Sequence, residues 1–277
     1  MSSPTASNYV LGQSAHEYER LMLQARMLRP YTEKFFRAAG LAPGMRVLDV
    51  GSGMGDVALL SGDIVGPGGR VLGIDRDADA LANARRRTDE QGCSSWVEFE
   101  ASNLDEFTRT EQFDALVGRY VLLYQPNPSS TIRSLLRSVK PGGIVAFHEF
   151  DLPGPDASYP PCPLYDQVGT LVSEVFRRGA PPIGRRLGKT FLDAGLPFPT
   201  IVAEIIIGGG PGSYVYPWLA NTLISLAPRL AQLGLSLPPG VAADHTLAGR
   251  MEEEAVRLGS QLLAPAQFGA WTRKNLS

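Results

Sequence analysis

The chain has 277 residues, 44% of them apolar and 19% charged, with a formal net charge of −2. That length suits one large domain, or one domain carrying an insertion, and the charge balance excludes the basic stripe that nucleic acid or an anionic membrane requires. No apolar run approaches the ~20 residues that span a bilayer, Met1–Asn8 lacks the basic and apolar regions of a secretion signal, and Cys93 and Cys162 have neither metal spacing nor the number of a disulfide framework. The expectation is a cytoplasmic protein with reduced thiols that acts on a small molecule, with a homodimer through its N-terminal helices left open.

In chain order, the first pattern is helical. Leu11, Tyr18, Leu21, Met22, Ala25 and Leu28 recur at helical spacing, and Ser14 with Glu17 three residues on forms a capping box. Pro30 interrupts, and a second helix is expected over 31–39, closed by Gly40. Residues 1–40 thus form helices that cover a sheet or form a lid over a ligand. A strand over 46–50 follows, then a glycine turn and a helix to about Val65. The pattern then repeats: strand 70–74, helix 77–91, strand 96–100, strand 113–118, helix 129–139, a Pro141-Gly142-Gly143 turn and strand 144–147. Five strands alternating with helices imply a parallel, doubly wound α/β sheet.

The second half reads as a proline-rich loop (152–163), helices 164–176 and 185–194, an Ile-rich sixth strand 200–207, helices 214–233 and 247–262, and a last strand 268–272. The expected organisation is a helical lid (1–40), a Rossmann-like core (41–210), a helical cap insertion (211–262) and a final core strand (263–277).

The stretch Asp49-Val50-Gly51-Ser52-Gly53-Met54-Gly55 carries the chemistry. Glycines there permit positive φ and close approach of a ligand, and the turn sits at a strand's carboxyl end, where open α/β sheets bind ligands. A dinucleotide fingerprint is G-x-G-x-x-G. Here the spacing is G-x-G-x-G with an acid two positions before the first glycine. That pattern resembles motif I of the class I S-adenosylmethionine (SAM)-dependent methyltransferases. Val71-Leu72-Gly73-Ile74-Asp75 is similar to the family's second strand with its ribose-binding acid, 24 positions past Gly51. Pro141-Gly142-Gly143 matches its turn into strand five. Where the family has Gly-Asp-Ala to bind the adenine amino group, this chain has Ser102-Asn103-Leu104, whose Asn carbonyl accepts the bond without charge. The resemblance covers residues 9–151. It implies a seven-stranded sheet whose last strand is inserted antiparallel, SAM as cofactor, S-adenosylhomocysteine as product, and a cofactor site comprising Tyr9, Gln24, Asp49, Gly51, Ser52, Gly53, Asp75, Arg76, Ser102, Asn103, Leu104, Arg119 and Tyr124.

Transfer to oxygen or carbon removes a proton from the acceptor, and a base contributes about 10²–10⁴-fold. His16, in the lid helix, and His148, at or just past the end of the fifth strand, are the candidate bases, each balanced against a surface or packing role. His245, in a polar Asp-His-Thr context, reads as exposed. Arg119, directly after the fourth strand, is the candidate anchor for the SAM carboxylate or an anionic substrate. Aromatic residues in the edge loops and cap suit a flat, aromatic acceptor of the secondary-metabolite kind. No metal is expected, because Arg119-Tyr120 and His148-Glu149 stand where a catechol-type enzyme needs Mg²⁺ ligands. Two rivals stay open: an NAD(P)-dependent oxidoreductase, which lacks its glycine spacing and a Tyr-x-x-x-Lys here, and a protein that binds SAM without transfer, as a cyclase or regulator.

Overall fold

The structure is a computed structural model that describes residues 15–109, 112–152, 154, 157–179 and 181–276, with side chains from residue 20 onward. Among them are eight α-helices: α1 Ala15–Ala39, α2 Asp56–Val65, α3 Ala78–Glu90, α4 Pro128–Leu135, α5 Pro163–Gly179, α6 Leu187–Asp193, α7 Val215–Leu230 and α8 Leu247–Leu258. The strands are β1 Arg46–Val50, β2 Arg70–Asp75, β3 Val97–Ala101, β4 Phe113–Arg119, β5 Val139–Asp151, β6 Ser158–Tyr159, β7 Thr200–Gly208 and β8 Gln261–Arg273. They hydrogen-bond in the order β3-β2-β1-β4-β5-β8-β6, with β7 also on β8. This is the expected doubly wound α/β fold, with an eighth strand of two residues that nothing in the loop over 152–163 announced. The last strand takes its expected place between the fifth strand and the Ile-rich one.

The chain divides into two compact units. One comprises Arg29–Glu149, Ile183–Ala203 and Phe268–Ser277. Its strands β3, β2, β1, β4 and β5 are parallel throughout, with Val47 opposite both Val71 and Ala115, and Arg119 opposite His148. Strand order reverses between β1 and β4, so the carboxyl ends of those two strands border the crevice where this topology binds ligands. Val47, Val71, Val97, Ala115 and Val117 pack under Leu60, Ile64 and Leu81 of α2 and α3. Full burial of each large aliphatic side chain contributes roughly 1.5–3 kcal/mol. That packing fixes α2, and with it the far end of the glycine turn.

The other unit comprises Met1–Leu28, Phe150–Pro182 and Glu204–Gln267. In it α7 packs on α5 and α8. Leu247, Met251 and Ala255 form the buried stripe of α8 at i, i+4 spacing. Tyr165 Oη donates to Leu263 O at 3.0 Å, and Glu254 accepts from Leu164 N and from the Cys162 thiol. Burial pushes that thiol up to about 11, so it is an inert structural group.

Three expectations are corrected. Pro30 does not end a helix: α1 runs through it. The proline deletes only its own bond to the Arg26 carbonyl, at a point where both residues are exposed, while Ala25, Leu28, Thr32, Phe35, Phe36 and Ala39 keep one buried stripe on either side. The unit boundary falls there, between Leu28 and Arg29. Second, Pro141-Gly142-Gly143 lies inside β5, as a bulge. Phe113 pairs with Val139 and Ala115 with Ile144, and the extra residues turn to bond Lys274 through Gly142 N–H and Gly143 C=O. Third, the helix expected to reach residue 262 stops at Leu258, because Gly259 takes φ 66 as its left-handed cap, and β8 starts at Gln261. Ser14 and its capping box lie outside the described residues.

Candidate functional site

The site is built on the turn from β1 into α2. Gly51, Gly53 and Gly55 have φ of 63°, 49° and 82°, a region that other L-residues enter at a cost. Their surroundings differ. A Cβ on Gly51 would come 2.8 Å from Val121 Cγ2, and one on Gly55 would come 2.7 Å from Phe99 Cζ. A Cβ on Gly53 would meet nothing within 4 Å. Two of the glycines are thus demanded by neighbours, and the third opens onto space. Asp75, at the end of β2, fastens the turn: Gly53 N–H donates to its Oδ2 at 2.8 Å and Asp77 N–H to its Oδ1 at 2.9 Å. Ser52 N–H donates to Ile74 O. Each Asp75 oxygen keeps lone-pair capacity for a second donor.

Asp49 is the penultimate residue of β1, next to this turn. Its carboxylate is 1% exposed, and neither oxygen has a hydrogen-bond partner. Burial drives its pKa well above the usual carboxylate range. Arg119 opposes that rise, Asp75 and Asp56 add to it, and the Ala58 N–H favours the charged form without reaching hydrogen-bond geometry. Buried carboxylates in proteins are paired or hydrogen-bonded, so an orphan at the ligand edge of the sheet marks a place for a donor or a cation. The Ser52 hydroxyl beside the turn is likewise buried without a partner.

Around the carboxylates lies an arginine pair. Arg87, from α3, donates to Met54 O at 2.6 Å within the glycine turn and pairs with Asp56 Oδ1 at 2.7 Å. Arg119, 8% exposed, lies 3.9 Å from Asp56 Oδ2 and donates to Thr32 Oγ1 at 3.2 Å. The same Thr32 hydroxyl is 2.9 Å from His148 Nδ1. His148 is fully buried, with Phe35 and Tyr120 edge-on at centroid distances of 5.0 and 5.7 Å. The imidazole therefore supports Thr32 and, through it, Arg119.

Between β4 and β5 the backbone is tightly specified. Tyr120, just past β4, has φ 58, an outlier for a bulky residue, and its N–H donates to His148 O at 2.9 Å. Val121 and Leu122 both donate their N–H to Glu149 Oε1, at 2.9 and 2.7 Å. Glu149 is fully buried, and desolvation raises its pKa to about 8 against the pull of the Leu122, Val121 and Leu123 N–H groups, the last of which does not reach hydrogen-bond geometry, so that Oε2 has no hydrogen-bond partner.

Ser102-Asn103-Leu104 directly follow β3. Ser102 N–H donates to Asp75 O, and Asn103 Nδ2 donates to Glu106 at 3.0 Å, which leaves the Asn103 side-chain oxygen as an acceptor. Leu104 and Tyr124 are half-buried and Arg76 is exposed. All of these belong to the unit that holds the glycine turn. Gln24 belongs to the other unit, where it accepts from Arg20 Nη1 at 2.9 Å and Trp218 Nε1 at 3.4 Å. Tyr9 lies outside the described residues, and of His16 only the helical backbone is described. His245 is exposed, as its polar context suggested.

The structure thus brings together Asp49, Gly51, Ser52, Gly53, Asp75 and Arg119 of the expected set, and adds Thr32, Asp56, Arg87, Tyr120 and Glu149. Of these, Asp56 had a signal, an acid opening the helix after the glycines. The others meet the site through long-range packing that spacing does not encode.

A family model described as a methyltransferase domain matches residues 41–175. Among curated relatives, an uncharacterized 37.1 kDa protein in transposon TN4556 of Streptomyces fradiae is 30% identical over 177 residues, 63% of this chain and 50% of that one. The ubiquinone/menaquinone biosynthesis C-methyltransferase UbiE of Ectopseudomonas mendocina (strain ymp) is 32% identical over 117 residues, 42% of this chain and 46% of that one. The chain spans about half the length of these curated relatives. Among solved structures, a candidate methyltransferase from Bacillus halodurans C-125 superposes with a TM-score of 0.59 at 20% identity, over 88% of this chain and 98% of that one. The 4+2 cyclase SpnF gives a TM-score of 0.53 at 22% identity, over 90% and 81%.

Proposed function

Because residues 41–175 form a methyltransferase domain of the class I SAM-dependent kind, we propose that the chain moves a methyl group from SAM to an oxygen or carbon atom of a small organic acceptor. The observation that carries this reading is Asp49: a buried carboxylate with no partner, beside a glycine turn whose middle member opens onto empty space.

The residues present fit the cofactor. Asp75, already pinned by two amides, has acceptor capacity for the ribose hydroxyls. Asn103 offers an uncharged oxygen to the adenine amino group. The orphaned Asp49 matches the positive charge of the methionine portion, directly or through a bound water. When bound, SAM supplies an electrophilic methyl on a positively charged sulfur. The chain's contribution is to hold the acceptor in line and exclude water, and orientation of this kind is worth up to roughly 7–11 kcal/mol. Arg119, fixed by Thr32 and facing Asp56, is the proposed anchor for a carboxylate of the cofactor or acceptor. His148 or His16 is the proposed source of basicity, His148 acting from behind Thr32.

The acceptor is proposed to be aromatic and the chemistry free of metal. Glu149, which follows His148 in β5, spends one oxygen on two backbone amides. The name of the UbiE relatives favours carbon as the acceptor atom. A second reading, SAM binding with a cyclisation in place of transfer, draws on the shared fold of SpnF.

Purified protein incubated with methyl-labelled SAM and a panel of phenols, indoles and quinols tests the reading. Labelled product together with S-adenosylhomocysteine is expected. Tight SAM binding with no label moved supports the cyclase-like reading, and no SAM binding sinks both.

A further inference from the structure

The turn after β4 is held by an unusual device. Three consecutive amides, Tyr120, Val121 and Leu122, are all satisfied by two consecutive residues of β5, the His148 carbonyl and the Glu149 carboxyl. The remainder of the turn closes on itself, with Tyr124 N–H on Val121 O and Gln125 N–H on Leu122 O. Its Val121 methyl occupies the position where any side chain at residue 51 would collide, at 2.8 Å. Its Tyr120 backbone is left-handed, a conformation that persists in a bulky residue only when neighbours over-determine it.

We propose that Glu149 is a positioning residue for methyl transfer: one carboxyl oxygen sets the Val121–Leu122 backbone, which seats Val121 on Gly51 of the cofactor turn and presents Tyr120 at the carboxyl end of β4. The inference rests on the methyltransferase reading above. A simple turn cap would not call for this residue. A buried glutamate with one oxygen committed and the other unpartnered is an expensive way to satisfy two amides that ordinary turn residues or water can serve. Burial also favours the protonated form at neutral pH, so the group accepts at Oε1 as a neutral carboxyl.

The test uses the full chain and three variants: Glu149→Gln, which keeps the acceptor, Glu149→Asp, which shortens its reach by one methylene, and Glu149→Ala. For each, SAM affinity by calorimetry, kcat and KM are measured below the melting temperature. Misplacement of about 1 Å can cost ~10²-fold in rate. Glu149→Ala and Glu149→Asp should lose on the order of 10- to 100-fold in kcat and bind SAM more weakly, while Glu149→Gln at pH 7 stays within about threefold of the parent. If Glu149→Ala does not fold, Glu149→Asp and Glu149→Gln decide. Folded Asp and Ala variants with parental kcat and SAM affinity overturn the inference, as does a Gln variant as impaired as Asp. Failure of the parent protein to bind SAM at all would instead strike the functional reading on which this rests.

Discussion

Gly53→Ala isolates the ligand cradle from the stability of the turn. The backbone at residue 53 is left-handed, φ 49, which costs a non-glycine residue roughly 1–2 kcal/mol. Against this, alanine restricts the unfolded chain and returns about 0.4–1 kcal/mol. A Cβ there meets no protein atom within 4 Å, so no overpacking adds to the cost. The net loss is about 1 kcal/mol, or a fall of about 2–4 °C in Tm for a chain of this size. Gly44 is a matched control: φ 83, nothing within 4 Å of its Cβ, and a place before β1, at the opposite end of the strand from the turn. Gly44→Ala should lose the same stability. Calorimetric titration should then separate the two: Gly53→Ala, whose new methyl stands in the ligand's space, loses at least about tenfold in SAM affinity, or 1.4 kcal/mol, and Gly44→Ala loses none. Equal SAM affinity in the two variants would refute the placement of the cofactor.

The other predictions concern buried groups. Glu149 has a folded-state pKa of about 8 against 4.5 in the unfolded chain, so the folded protein retains a proton across that window and stability falls as pH rises through it. At about 1.4 kcal/mol per unit, the full effect is on the order of 5 kcal/mol. Denaturant titrations should therefore show Glu149→Gln equal to the parent at pH 5 and more stable at pH 9; parallel curves at both would contradict the burial argument. Asp49 shifts in the same direction, so the parent also loses stability as pH rises above the ordinary aspartate range, and Asp49→Asn should remove that part of the fall in ligand-free protein; an unchanged profile would count against an isolated buried carboxylate. Tyr120→Gly relieves about 1–2 kcal/mol of left-handed backbone strain, offset by about 0.4–1 kcal/mol of extra freedom in the unfolded chain, and should lower kcat. A variant that is both more stable and fully active would show that the tyrosine has no part in transfer.

Much of the fold was legible because its signals are local. Apolar strand runs, glycine turns and helix caps such as Asp77, whose side chain accepts from Asp79 and Ala80, each act within a few residues. The errors came where tertiary packing outweighs a local rule. Pro30 breaks the helical ladder at one carbonyl, and the buried stripe through Leu28, Thr32 and Phe35 carries the helix past it. The Pro141-Gly142-Gly143 segment has turn chemistry, yet Lys274, over a hundred residues later, draws it into β5 as a bulge. The site divides in the same way. Asp49, the three glycines and Asp75 belong to motifs with fixed spacing. Thr32 joins Arg119 and His148 only in three dimensions, and Glu149 acquires its role from two amides 27 and 28 residues before it.

Equilibrium titration of SAM into the parent protein and into an Asp49→Asn/Asp75→Asn double variant bears most directly on the site. Loss of one charge-assisted bond is worth about 1.5–3 kcal/mol, so removing both carboxylates should weaken saturable, one-site binding by at least about 100-fold while the variant remains folded. A double variant that binds SAM as the parent does would contradict the assignment of the glycine turn and its two acids as the cofactor's holder.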